Sequence, residues 1–210
     1  MTYGQAWVVF CASASRGRPI ARANTVLLQR RRLLQLGFGA AAASVAAIPA
    51  IGWAAPLTDA EIRTVAFDNL HTGESVDCVY WEQGDYIPDV LDAVNNVLRD
   101  HRTGDVYPID PNLLDLLDAV SAATGTRSRF QVISGYRSPS TNAMLHERSA
   151  EVAKKSLHTE GLAIDVRLAD VDLSRLHAAA LSLGRGGVGM YHRSDFVHLD
   201  VGPVRTWRGA

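Results

Sequence analysis

The sequence has few cysteines, and its first quarter has no acidic residue. Only Cys11 and Cys78 occur among 210 residues, which excludes a disulfide-rich scaffold and a zinc site built from several thiolates. Charged residues make up 20% of the chain and hydrophobic residues 47%. This composition excludes a wholly disordered or collagen-like chain and allows a packed core.

Charge is divided unevenly along the chain. Residues 1–55 contain six arginines and no aspartate, glutamate or lysine, so the remainder holds 15 basic and all 22 acidic residues, a net charge of −7. An acidic body without a basic stripe argues against nucleic-acid binding, and we expect no nucleic-acid partner. The basic, acid-free start has the composition of a targeting segment.

The targeting segment resembles a twin-arginine export signal. The pair Arg30–Arg31 precedes an apolar stretch over 33–51, and the small residues Gly52 and Ala54 surround a plausible cleavage point. Such signals are receptor-read addresses, here for delivery of a folded protein to the periplasm. We therefore predict an N-terminal extension with a signal over 1–55, a domain over 56–210, and no stable membrane association after cleavage. An uncleaved anchor is the alternative, because the apolar stretch is about long enough to span a bilayer.

The body of the chain alternates between strand and helix patterns. Residues 62–70 and 75–81 flank a turn at 71–74 and predict a β-hairpin. Apolar spacing and capping signals predict helices over 87–98, 112–123, 138–148 and 173–183, and further strands over 130–133, 162–168, 187–191 and 195–201. This order predicts one α+β domain with a mostly antiparallel sheet and flanking helices.

Three residues in or near two late strands can form a metal site. Asp165 lies in a strand with aliphatic neighbours, and His198 and Asp200 share one face of a later strand, because successive side chains alternate between faces. His158, just before the first strand, completes a set of two histidines and a carboxylate. Three nitrogen or oxygen ligands and a water are what a catalytic zinc needs.

The same residues also have ordinary structural explanations. A single strand histidine is usually a hydrogen-bonded residue of the core or its rim, so the spacing alone leaves both interpretations open. His192 is an alternative ligand, His71 is expected to be structural, and His146 and His177 are expected to face solvent from helices. Trp207 is expected in the core or at its rim, in preference to a sugar-binding platform.

A family resemblance favours the metal site. The chain resembles the M15 peptidases, which include D-alanyl-D-alanine carboxypeptidases and endolysins, at Ser156, His158, Gly161, Ala163, Asp165 and His198. The segment 134–138 resembles another part of that family. The resemblance covers 60–208 and is greatest to an exported branch, formerly a domain of unknown function, related to murein endopeptidase K. It implies a hedgehog/DD-peptidase-like α+β fold, bound Zn²⁺ and peptidoglycan peptides as substrate.

The resemblance also assigns roles to the matching residues. His158, Asp165 and His198 would bind zinc, which activates a water. Arg137 would lie near the substrate carbonyl or carboxylate and help to stabilise the oxyanion.

Further roles concern the substrate and the general base. Ser134, Tyr136 and Ser156 would line the substrate site. Asp195 is one candidate base, because several M15 members have an acid three residues before the last ligand. Asp200 is the other candidate, and it fits a supporting hydrogen bond to that ligand equally well.

These observations predict an exported, monomeric zinc metallopeptidase. It would hydrolyse peptide bonds in peptidoglycan stem peptides or cross-links, as an endopeptidase or a carboxypeptidase. The alternatives are a non-catalytic peptidoglycan-binding module that retains the metal, motivated by the shorter side chain of Asp195 than of a glutamate at the base position, and a peptidase with another substrate, because ligands and fold do not define a substrate.

Overall fold

A computed structural model of the protein describes residues 8–11, 62–149 and 151–209. The predicted export signal with Arg30 and Arg31 lies outside these residues. None of the described helices combines the length and the apolar character that a membrane span requires.

Helices and strands alternate along the described residues, as the α+β prediction requires. The helices are α1 (Pro88–Val97), α2 (Pro111–Thr124), α3 (Pro139–Arg148) and α4 (Leu173–Ser182), with a short 3₁₀ helix at Leu157–Glu160. The strands are β1 (Val8–Cys11), β2 (Ile62–Asn69), β3 (Ser75–Glu82), β4 (Asp85–Tyr86), β5 (Phe130–Ser134), β6 (Ala163–Arg167), β7 (Gly187–Tyr191), β8 (Phe196–Asp200) and β9 (Arg205–Gly209). The predicted fold class is confirmed.

One sheet connects the described strands in the order β1-β3-β2-β5-β6-β8-β7-β9, with β4 paired to β3. Five of the pairings between these strands are antiparallel, and β1–β3, β2–β5 and β7–β9 are parallel. The predicted hairpin is formed by β2 and β3. β9 was not predicted, because its largely exposed sequence lacks apolar alternation. β1 lies in the segment that the sequence assigns to the N-terminal extension.

Side-chain caps and prolines define where two of the helices begin. Asp110 accepts a hydrogen bond from the Asn112 amide at 2.8 Å and starts α2, and Ser138 Oγ accepts one from the Thr141 amide at 3.2 Å and starts α3. Each helix has proline at its first position, where the missing amide hydrogen costs nothing. The cap at Ser138 fixes the helix directly after Arg137.

The helices cover the apolar residues of the sheet. α1 contacts β3, α2 contacts β2 and α4, and α4 contacts β7 and β8. The expectation that His177 faces solvent is wrong, because only 7% of this residue is exposed. His177 is four residues after Leu173 and three before Ala180, so helical spacing places it on the packed face of α4.

Asp100 connects the loop after α1 to the start of α3. Its Oδ2 accepts hydrogen bonds from the amide and the hydroxyl of Ser138 at 2.9 and 2.7 Å, and its Oδ1 accepts one from the Arg102 amide at 2.9 Å. Burial opposes ionisation of Asp100, but hydrogen bonds from Thr141, Ser138 and Arg102 outweigh it and hold the pKa well below its ordinary value.

We expect Asp100→Asn to lower the free energy of unfolding at pH 7 by roughly 2 kcal/mol, because it replaces charge-assisted hydrogen bonds by weaker ones. The lowered folded-state pKa means that the carboxylate stabilises the fold above about pH 4. That contribution is lost as the pH falls below the unfolded-state pKa toward the folded-state pKa. Urea unfolding of both proteins should therefore give a smaller difference at pH 3 than at pH 7. An equal difference at both pH values would contradict this role, and the exposed Asp105→Asn is the control in the same loop.

Candidate metal centre

The pairing of the strands places five residues in one row across the sheet. Ser134 in β5 is opposite Asp165 in β6, and Asp165 is opposite His198 in β8. His198 is opposite Gly189 in β7, which is opposite Trp207 in β9. Directly opposed residues point to the same face of a sheet. The row therefore brings a carboxylate, an imidazole and an indole together on one face.

His158 joins this row from the 3₁₀ helix that precedes β6. Its Nε2 lies 3.2 Å from Asp165 Oδ1 and 3.2 Å from His198 Nδ1, and His198 Nδ1 lies 2.8 Å from Asp165 Oδ1. All three side chains are buried. We call His158, Asp165 and His198 the ligand triangle, and the structure brings together the three ligands that the family resemblance implies.

The ligand triangle fits a zinc ion. Tetrahedral zinc with bonds of 2.0–2.2 Å to nitrogen and oxygen holds its ligand atoms about 3.3 Å apart. The three separations of 2.8 to 3.2 Å are close to that value. Two imidazoles and one carboxylate are also the donor types of a catalytic zinc site, in which three protein groups leave one position for water or substrate.

The second nitrogen of each histidine has a partner that fixes the orientation of the ring. His158 Nδ1 lies 2.8 Å from the carbonyl oxygen of Gly135, and His198 Nε2 lies 3.0 Å from Asp200 Oδ2. Each partner is an acceptor, so the outer nitrogen donates to it. His158 Nε2 and His198 Nδ1 then face the centre of the triangle, an arrangement that is usual around histidine ligands of metals.

Asp200 is fully buried, and both of its oxygens are occupied. Oδ1 accepts hydrogen bonds from the amides of Gly187 and Gly202 at 3.0 and 2.8 Å and from Arg205 Nη1 at 3.0 Å. Oδ2 accepts from His198 and, at 2.6 Å, from Arg205 Nη2. Of the two roles that the sequence left open for Asp200, this geometry favours the supporting hydrogen bond to His198.

Burial and mutual contact shift the ionisation of the ligand triangle. Burial disfavours charge on Asp165, but the charges and hydrogen bonds of His158 and His198 outweigh it and lower the pKa of Asp165 below its usual range. Burial lowers the pKa of His158. Burial acts the same way on His198, but hydrogen bonds to Asp165 and Asp200 outweigh it and raise the pKa of His198 to about 9.

Arg137 lies beside the ligand triangle, where three hydrogen bonds hold its guanidinium. Its Nη2 donates to Ser134 Oγ at 3.3 Å and to Asp165 Oδ2 at 3.5 Å, and its Nη1 donates to Asn142 Oδ1 at 3.3 Å. Its Nε is enclosed and has no hydrogen-bond partner among the described residues. Because Arg137 lines the cavity described next, its positively charged group lies close to any substrate bound there.

A cavity of about 420 Å³ contacts the ligand triangle and has an aromatic side. Tyr191 and Phe196 stack with ring centroids 4.5 Å apart, and Trp207 Nε1 donates to the Tyr191 hydroxyl at 2.9 Å. The Trp207 ring centroid is 5.2 Å from that of His198. Gly189 permits this arrangement, because a Cβ atom there would collide with the indole.

The rest of the cavity lining comes mainly from the segment after α3 and from polar side chains. Residues 151–153 and 155 line it, together with Ser149, Ser156 and Arg205. We call residues 151–155 the wall segment. Ser156 thus lines the cavity, as the family resemblance implies for a substrate-site residue.

Three residues considered in the sequence lie elsewhere. The Asp195 side chain is 63% exposed and forms an ion pair with Arg167 at 2.9 Å, and Asp195 does not line the cavity. Tyr136 stacks on Tyr107 with ring centroids 4.9 Å apart, also outside the lining. His192 is exposed and outside the ligand triangle. The structure does not bring these residues together with the ligands.

Sequence reasoning missed several residues of this site. It gave no role to Tyr191, Phe196, Asn142 or Arg205, and it placed Trp207 in the core or at its rim. Phe196 alone had a usable signal, because it is two residues before His198 and therefore on the same face of a strand. The other four depend on pairings and contacts between distant parts of the chain.

Comparison with known proteins agrees with this geometry. A family model described as peptidoglycan L,D-endopeptidase MepK matches residues 58–207. The chain is 44% identical to the peptidoglycan L,D-endopeptidase MepK of Escherichia coli strain K12 over 178 residues, which are 85% of this chain and 96% of the relative. It is 43% identical to the probable peptidoglycan L,D-endopeptidase MepK of Haemophilus influenzae over 148 residues, 70% of this chain and 80% of the relative.

Proposed function

This chain belongs to the M15 peptidase family described as peptidoglycan L,D-endopeptidase MepK, and we propose from this that it is an exported zinc endopeptidase that hydrolyses L,D cross-links in peptidoglycan. The observation that carries the proposal is the buried ligand triangle in the lining of a cavity of about 420 Å³. Two histidines and a carboxylate at these separations suit catalytic zinc, and the cavity has room for part of a peptide.

Each residue of the centre has a defined task in this proposal. His158, Asp165 and His198 would hold a zinc ion, whose chemistry would be to activate a water and to polarise the substrate carbonyl. The ligand triangle holds the metal, and Asp200 keeps His198 Nδ1 directed toward it. Arg137 presents its guanidinium to the carbonyl oxygen, where a charged group fixed in advance would stabilise the negative charge that develops.

The substrate places the enzyme outside the cytoplasmic membrane. The relatives are named for peptidoglycan, and Arg30–Arg31 with the following apolar stretch supplies a twin-arginine-type address. We propose that the signal within residues 1–55 is removed on export and that residues 56–210 act in the periplasm as a monomer.

Digestion of purified peptidoglycan tests the function. The purified chain is incubated with peptidoglycan that contains both L,D and D,D cross-links, with and without a chelator, and the muropeptides are identified by mass spectrometry. We expect a chelator-sensitive loss of L,D cross-links. His198→Ala should be inactive, whereas the exposed His192→Ala should retain activity as the matched histidine control.

Other outcomes of this digestion separate the alternatives. Loss of terminal residues with intact cross-links would indicate a carboxypeptidase. Intact muropeptides from a zinc-loaded protein that still sediments with peptidoglycan would favour the binding module and contradict the proposed activity.

We expect Asp200→Asn to weaken zinc affinity by about 10- to 100-fold, because removal of an acceptor behind a histidine ligand typically has this effect. Turnover should recover when zinc is saturating, since Asp200 touches neither substrate nor cavity in this proposal. Metal competition titrations and turnover at several zinc concentrations measure both quantities. A turnover defect that persists at saturating zinc would identify Asp200 as a general base instead. Asp195→Asn, at the surface, should change neither quantity.

A further inference from the structure

Helix α3 holds three consecutive carbonyl groups of the wall segment with two side chains. Asn142 Nδ2 donates to the carbonyl oxygens of Ala153 and Lys154 at 3.1 and 3.2 Å. His146 Nδ1 contacts the carbonyl oxygen of Val152 at 2.6 Å and donates to it. Asn142 and His146 are four residues apart and therefore lie on one face of the helix. The path of the wall segment is set by this face.

Asn142 also holds Arg137. Its Oδ1 accepts the hydrogen bond from Arg137 Nη1 at 3.3 Å, and its side chain is buried, with 3% of the residue exposed. The oxygen and both N–H groups of the side-chain amide thus have partners, which are Arg137 and the wall segment. An unsatisfied amide at a buried position is costly, so the three bonds define one orientation of the side chain.

The two groups that Asn142 connects both face the cavity. Arg137 and residues 151–153 and 155 line it, and Asn142 itself does not. The backbone of α3 anchors this residue, because the backbone N–H of Asn142 donates to the Ser138 carbonyl oxygen at 2.9 Å in the first turn of the helix. One rigid residue therefore sets the guanidinium and the wall segment relative to each other.

We propose that Asn142 is a positioning residue for the peptidase reaction. Its oxygen orients Arg137 toward the reacting carbonyl, and its nitrogen fixes the wall segment at the distance that a cross-linked peptide requires. His146 assists at the wall segment only. The inference rests on the proposed function, but the contact that it assigns to the wall segment is testable without turnover.

Three substitutions separate the two tasks. Asn142→Asp keeps an oxygen for Arg137 but loses both donors to the wall segment. His146→Ala removes the hydrogen bond to the Val152 carbonyl oxygen and leaves the contacts of Arg137 unchanged. Asn142→Leu removes the hydrogen bonds both to Arg137 and to the wall segment. Glu147→Ala, at an exposed position of the same helix, is the control.

Steady-state kinetics on a soluble muropeptide dimer with an L,D cross-link give the first measurement. We expect Asn142→Asp and His146→Ala to raise KM by about tenfold with kcat changed by less than about threefold, because they disturb binding and not the reacting carbonyl. Asn142→Leu should also lower kcat by at least about tenfold. All variants should bind one zinc.

Hydrogen–deuterium exchange gives a measurement that does not need activity. The amides of residues 151–155 should exchange faster in all three variants, and those of β6 and β8 should not. Unchanged exchange and unchanged KM in Asn142→Asp would overturn the proposal, as would loss of zinc in that variant, which would show a general structural role. If the parent chain cleaves no peptidoglycan, the proposed function fails, while the exchange rates still decide whether Asn142 holds the wall segment.

Discussion

Asp165→Ala is expected to abolish zinc binding and to lower hydrolysis of peptidoglycan cross-links by at least about 1,000-fold. Asp165 supplies one atom of the ligand triangle, and its Oδ1 is within 3.2 Å of the facing nitrogens of both histidines. Without this carboxylate, the two imidazoles lose the negative charge that offsets the charge of the metal. In a buried site, two neutral histidines alone bind a doubly charged metal ion far more weakly than two histidines and a carboxylate.

Metal analysis after dialysis and the digestion assay measure these effects. Asp165→Asn, which has the same shape, shows whether any loss arises from charge or from a cavity left by the side chain. Asp195→Ala is the matched control, because its carboxylate is at the surface in an ion pair with Arg167. An Asp165→Ala protein that retains one tightly bound zinc would show that the ligand triangle is not the metal site.

Arg137→Lys is expected to lower kcat by about 100- to 1,000-fold while zinc content and KM stay nearly unchanged. The proposed role depends on the guanidinium as a fork: its Nη1 and Nη2 are held by Asn142, Ser134 and Asp165, which fix the charged group at the cavity. A lysine ammonium is a single charged group, so it keeps the charge but cannot hold these contacts and present a fixed donor at once.

Single-turnover and steady-state kinetics distinguish this loss from weaker binding. Arg167→Lys is the control. Arg167 lies in β6, two residues after Asp165, but its side chain forms an ion pair with Asp195 at the surface. A comparable loss of kcat in both variants would point to a general effect of charge. A rise in KM with unchanged kcat would assign Arg137 to substrate binding alone.

The parts of the site that lie in regular strands could be predicted from the sequence. Strand alternation alone placed His198 and Asp200 on one face, whereas the register that puts Asp165 directly opposite His198 is seen only in the structure. The helix starts at Asp110 and Ser138 followed from local capping chemistry, which depends on residues only two or three positions apart. These features were accessible because their causes are local.

The remaining parts depend on contacts that no local pattern encodes. Arg205 and Trp207 reach the site because β9 pairs in parallel with β7. β9 is short and polar, so its sequence has no apolar alternation that would predict a strand. Asp195 matches the expected spacing from the last ligand, but it has a φ of 53° in a turn and its side chain lies with Arg167. The spacing seen in the family thus indicated an acidic residue at this position, but the backbone conformation determines where its side chain lies.

The cavity is lined both by residues of paired strands and by the wall segment. The reaction and the preference for a substrate therefore depend on different parts of the chain. The ligand triangle is fixed by backbone pairing across the sheet, whereas the wall segment is attached by side chains of one helix. We therefore expect substitutions at 151, 152 and 155 to leave the ligand triangle undisturbed. Such a scaffold can acquire new peptide preferences during evolution, or in a directed library limited to these three positions, while its hydrolytic machinery is inherited intact.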